Sequence, residues 1–103
     1  MNLQDVCQKI FEYAQAANAG SDEFIAYINI EVGLQFPFSD ADVMKTFHHL
    51  VWDTDFSSAD LNIEHTGMLR DTEIALVSLS CFSDGEHPER IIVVPLNAYR
   101  FSV

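Results

Sequence analysis

Residues 24–38 read FIAYINIEVGLQFPF, and their alternation decides the fold. Phe24, Ala26, Ile28, Ile30, Val32, Leu34, Phe36 and Phe38 are apolar at every second position. Between them stand Ile25, Tyr27, Asn29, Glu31, Gly33, Gln35 and Pro37. Successive side chains of a strand point to opposite faces, so this period of two predicts one face on a core and the other mostly wet. An unbroken strand of this length is unusual, and Gly33 is expected to place a bulge or bend in it. Pro37 has no amide donor and marks where ladder pairing should stop.

The flanking segments have a helical period. Over residues 3–18, Leu3, Val6, Cys7, Ile10, Ala14 and Ala17 recur at three- and four-residue steps and line one face. Asn2 suits the N-cap, Asp5 meets the positive end of the helix dipole, and Gly20 suits a left-handed C-terminal cap. Phe11 and Tyr13 lie beside the main stripe. Downstream, Ser39 with Asp42 resembles a capping box with Asp in place of Glu. Val43, Met44, Phe47, Leu50 and Val51 then form a second stripe through about Trp52.

Residues 53–59 are polar and irregular, and Leu61, Ile63 and His65 suggest a short strand that turns at Gly67. Residues 72–82 are apolar on both faces by simple alternation, with Ile74 and Leu76 on one and Ala75, Val77, Leu79 and Cys81 on the other. That pattern predicts a central strand covered on both sides over its first half. The turn signal SDGEHP at 83–88 joins it to a strand from Arg90 to Val94 as a hairpin. Pro95 interrupts, and Tyr99, Phe101 and Val103 alternate as a final edge strand. The expected fold is one α+β domain over residues 1–103. Its order is α-β-α-β-β-β with a further edge strand, in an antiparallel or mixed sheet of four to five strands with two helices packed on one face.

Charge narrows the function. Sixteen Asp and Glu against five Lys and Arg give a net charge of −11 with His neutral, spread from Asp5 to Glu89. From Thr46 to Leu69 no Lys or Arg intervenes, while Asp53, Asp55, Asp60 and Glu64 do. A field of this sign repels nucleic acid and anionic membranes and favours a basic protein partner. Two cysteines in apolar surroundings, Cys7 and Cys81, suit buried thiols in a reducing cytoplasm rather than a disulfide framework. The first residues lack the pattern of a signal peptide, and no run approaches the roughly 18 apolar residues of a membrane span.

The candidates for chemistry are few. His49 and Asp53 stand four apart and could share a metal with Asp55 or His65, yet paired ligands at fixed spacing are missing. His48 and His49 also suit the negative end of a helix dipole. Cys81 sits in an apolar strand that would raise its pKa, Ser57-Ser58 has no nucleophile elbow, and the glycines form no phosphate loop. No cofactor is expected and an enzyme is not.

The expected contact patch is Trp52, Asp53, Asp55, Phe56, Asp60 and Glu64, aromatics rimmed by carboxylates. The short, acidic, motif-free profile is that of toxin-immunity proteins and of phage-encoded inhibitors of nucleic-acid-handling defence systems, the anti-CRISPR type included. It is a likeness of class and not of family. The leading expectation is therefore a small inhibitor that occludes a basic target, with a carboxylate array imitating DNA phosphates as one mechanism. The alternatives are a homodimeric chaperone-like or structural module that pairs through strand edges, and a small His/Asp metal enzyme.

Overall fold

The computed structural model describes residues 1–19, 24–82, 91–95 and 97–103. Its elements run α1 (Leu3–Ala17), β1 (Ile25–Gly33), α2 (Asp40–Val51), β2 (Asp60–Thr66), β3 (Glu73–Cys81), β4 (Ile91–Val93) and β5 (Arg100–Ser102). The strands make one sheet in the order β2-β1-β3-β4, with β5 also on β3. β1 and β2 are parallel and the other pairs antiparallel, so the fold is α+β with a mixed five-stranded sheet. Parallel neighbours need a crossover, and α2 supplies it.

The local signals act as their chemistry requires. At the start of α1 the Asp5 N–H donates to Asn2 Oδ1 at 2.8 Å, and at the start of α2 the Asp42 N–H donates to Ser39 Oγ at 3.2 Å. These bonds satisfy amides that have no partner inside the helix. α1 ends with Asn18 as its C-cap. Gly20 and the turn at 83–88 fall outside the described residues. Val6, Cys7, Ile10 and Ala14 of α1 join Val43, Phe47 and Val51 of α2 in one core cluster with Ile28, Ile30, Val32, Ile74, Leu76 and Leu79 of the sheet.

Two irregularities correct the simple alternation. In the β1–β3 register Asn29 faces Ser78 but Ile30 faces Leu76, so Val77 is left over. This bulge brings Leu79 and Cys81, opposite Ile28 and Ile25, onto the core face already held by Ile74 and Leu76. They do not occupy the opposite face, as strict alternation would have it. A second shift between Ile25 and Tyr27 buries Ile25, while Phe24 is exposed.

β1 is also shorter than its pattern. It ends at Gly33, and Phe36 and Phe38 pack edge to face in the following loop, at 6.0 Å. Gly33 makes no bulge. Its role is close approach: a Cβ there would collide with the Arg70 carbonyl oxygen and lie 2.6 Å from Asp71 Cα.

β4 and β5 lie end to end along one edge of β3, opposite Ser78–Ser80 and Glu73–Ala75 respectively. Pro95 stands in the break. The Val94 N–H donates to the Val77 carbonyl at 3.3 Å and the Leu76 N–H to the Tyr99 carbonyl at 2.8 Å, so the edge stays tied across it. Among the described residues no helix is long and apolar enough to cross a membrane.

The bulge is testable. Deleting Val77 makes Leu76 and Ser78 neighbours and keeps Ile74, Leu76, Leu79 and Cys81 on the core face, whereas deleting Ala75 makes Ile74 and Leu76 neighbours and turns one of them away. Each buried Leu or Ile lost is worth about 2–5 kcal/mol, against a total of roughly 5–15 for a domain of this size. The expected result is that the Val77 deletion keeps a cooperative urea transition and the Ala75 deletion lowers its midpoint; a Val77 deletion that loses the transition would refute the register.

Candidate functional site

The predicted contact residues do not form one patch. Trp52, at the end of α2, is 78% exposed, and Asp53 and Asp55 are exposed in the turns that follow. Phe56 corrects the expectation: it is 5% exposed and meets Phe11 edge to face at 5.6 Å. The loop folds back because Thr54 Oγ1 accepts from the Phe56 N–H at 3.1 Å, and the Phe56 carbonyl accepts from the Ala59 N–H at 2.9 Å. Asp60 begins β2 and its Oδ1 lies 2.9 Å from His48 Nε2. Glu64 lies farther along β2, directly opposite Glu31 of β1.

The histidines likewise go elsewhere than the metal arrangement requires. His48 binds Asp60, while His65 Nε2 meets Asp40 Oδ1 at 2.8 Å and its Nδ1 meets the Gly33 carbonyl at 3.3 Å. Among the described residues no three His, Cys, Asp or Glu side chains gather in a metal-holding group. Both partners of His65 are acceptors, so the doubly protonated ring satisfies both contacts. The hydrogen bond to Asp40 holds its pKa above the ordinary value. Cys7 is sealed in the core, where burial raises its thiol to about 11, and it is no nucleophile at neutral pH.

What the register does assemble is a polar and apolar array on the sheet face opposite Ile28 and Ile30. Three rows cross the strands: Asp60–Tyr27–Ser80–Ile91, Asn62–Asn29–Ser78–Val93 and Glu64–Glu31–Ala75–Arg100. In the middle row Asn62 Nδ2 donates to Asn29 Oδ1 at 3.2 Å, and Asn29 Nδ2 donates to Ser78 Oγ and Ser80 Oγ, each at 3.0 Å. The amides are thereby fixed across three strands. Toward β2 the face is acidic, and toward β4 it is aliphatic, with Ile91 exposed and Val93 at 75% exposure.

Asn29, Glu31, Asn62, Ile91 and Val93 were not among the predicted site residues. Their signal was present in the wet positions of β1, Tyr27, Asn29 and Glu31, but which strands flank β1 is not written locally.

Charge on this face is uneven. Arg100 is occupied, with Nη2 2.7 Å and Nε 2.8 Å from Glu73 Oε2 and Nη1 2.9 Å from Asn97 Oδ1. The Arg70 N–H and the Arg100 guanidinium hold the Glu73 carboxyl below its usual range. Glu31 and Glu64 are opposed side by side and make no ion pair among the described residues. Beside Glu31 a groove of about 740 Å³ is lined by Met68, Val77, Val93 and Pro95, and by Glu31 and Arg100 themselves.

Compared with protein-family models, curated proteins and solved structures, the chain matches none of them. The site is therefore read from its own geometry.

Two outcomes follow from these contacts. Directly opposed like charges destabilise a sheet pair, so Glu64→Gln is expected to raise stability by about 0.2–1 kcal/mol in urea unfolding. An unchanged or lower midpoint would show that the carboxylates are already compensated. For His65 the raised pKa means the contact contributes fully below the unfolded value of about 6.5. That contribution is lost as pH rises through the higher folded pKa. Wild type should lose a few degrees of melting temperature between about pH 6 and pH 8, and His65→Gln should flatten part of that slope. Identical slopes would show that His65 is not bound as a cation.

Proposed function

We propose that this chain is a small acidic inhibitor that binds one basic protein of the nucleic-acid-handling kind and occludes its working surface. The observation that carries the reading is the sheet face of Tyr27, Asn29, Glu31, Asn62, Glu64, Ile91 and Val93. It combines carboxylates that make no ion pair among the described residues with exposed aliphatic side chains, on a hydrogen-bonded and therefore preorganised frame. Apolar contact supplies affinity when two such surfaces meet, while the charges select the partner and speed encounter. Trp52, Asp53 and Asp55 are exposed as well, past the end of α2. A protein that grips DNA presents Lys and Arg to phosphates, and carboxylates can engage the same groups as a decoy. Buried Cys7 and Cys81 suit a reducing compartment, and we place the protein in the cytoplasm.

A second reading has one observation in its favour. β2 ends the sheet and offers an edge for pairing with another copy. Against it, Asp60 and Glu64 stand on that edge, and a net charge of −11 on each copy opposes self-association. Charged edge strands are a usual device against pairing.

Affinity capture from the native host or its rival tests the inhibitor reading. The expected captive is a basic nucleic-acid-binding protein that elutes as salt rises from about 50 to about 500 mM, because screening shortens the reach of surface charge. Reversing Asp53, Asp55, Asp60 and Glu64 together should abolish capture. A captive held equally well through both treatments would sink the reading and leave the acidity to solubility.

A further inference from the structure

We propose, on the strength of the inhibitor reading, that the groove beside Glu31 is an anchor site for a single lysine or arginine on an extended segment of the protein partner. The aliphatic stem of that residue lies along Met68, Val77 and Val93, and its cationic head sits at the Glu31–Glu64 pair. Three observations converge on this occupant.

The first is shape. Val77, the residue left over by the β3 bulge, and Ala75 lie under a channel walled by Met68, which is 88% exposed, and by Val93 and Pro95. The small side chain of Ala75 keeps the row between Glu31 and Arg100 low. Walls of this kind suit the methylene stem of a long basic side chain, which packs on apolar surface while its head stays polar.

The second is charge complementarity. Glu31 and Glu64 are opposed in register and make no ion pair among the described residues, an arrangement that costs stability until a positive group stands between them. Arg100 cannot serve. It is two strands away, roughly 10 Å in the hydrogen-bonding direction, and is held by Glu73 and Asn97.

The third is exclusion of the other occupants. A second copy would bring carboxylates to carboxylates at −11 per chain, and an anionic ligand would meet the same repulsion. A purely apolar segment would cover Glu31 and leave its charge without water or partner.

The test uses three synthetic pentapeptides titrated into the nitrogen-15-labelled full chain: acetyl-Val-Lys-Val-Lys-Val-amide and its Gln and Glu counterparts. The lysine peptide is expected to shift the amide signals of Glu31, Ala75, Val77 and Val93. Its affinity should exceed that of the glutamine peptide by about tenfold or more, as charge pairing at a partly desolvated site requires. The Glu31→Gln/Glu64→Gln variant should lose that preference. Ala75→Leu, which fills the channel and keeps both carboxylates, should lose the binding, with the urea midpoint of each variant confirming that it is folded.

Equal response to the lysine and glutamine peptides overturns the anchor site. So do lysine-peptide shifts confined to residues 52–55, although these leave the basic-partner reading standing. No response to the lysine peptide anywhere on the chain counts against both.

Discussion

The pairing of β3 with β1, with Val77 left over between Leu76 and Ser78, is the constraint on which the remaining structure depends. A one-residue slip in a strand exchanges its faces. By strict alternation, half of the apolar side chains of β3 would leave the core. The bulge absorbs the slip, so Ile74, Leu76, Leu79 and Cys81 all oppose core residues of β1. The same event fixes the other face, because Ser78 and Ser80 then meet Asn29 and complete its hydrogen bonds. It also places Val77 in the groove. Core and surface are thus two consequences of a single register.

Electrostatics is organised around β2, the terminal strand. Asp60 is tied to His48 and Asp40 to His65, so two His–carboxylate contacts link α2 to the strand that follows it. Exposed pairs of this kind are each worth little. Their effect here is on distribution: they occupy two of the acids near α2, while among the described residues Glu64 and Glu31 of the sheet face make no ion pair. On the far side of that face Arg100 is consumed by Glu73. The field of the whole chain is negative, and strand order decides which carboxylates stand side by side on this face.

Those relations explain which features the sequence carries openly. The two caps and the two helical stripes involve residues a few positions apart and take the predicted form, and the period of two in β1 does so from Ala26 to Val32. Pro95 does interrupt the last strand, because a missing donor acts wherever it stands. The bulges were not legible, since a left-over residue is defined only against a partner strand. Phe56 could not be placed either: its burial depends on Phe11, far away in the chain, and on a loop that closes through Thr54. The candidate site suffered most. Its acids are visible in the sequence, but the row Glu64–Glu31–Ala75–Arg100 joins four strands, and no local pattern lists them together.

Solubility alone accounts poorly for the composition of this face. An acidic surface that serves only to keep a small chain dispersed has no need of aliphatic neighbours, and isolated exposed apolar residues are common on any protein. Ile91 and Val93, however, are not isolated: they stand on one side of one short strand, beside Met68 and above Val77. Contiguity of this kind is what distinguishes an interaction surface from ordinary scatter. The carboxylates border it rather than interrupt it, and the asparagine ladder between them ties three strands by hydrogen bonds, so the proposed contact would need little ordering. A face that is half acid and half aliphatic suits a partner that is itself basic and amphipathic. A bare phosphate-like decoy would need only the acidic half.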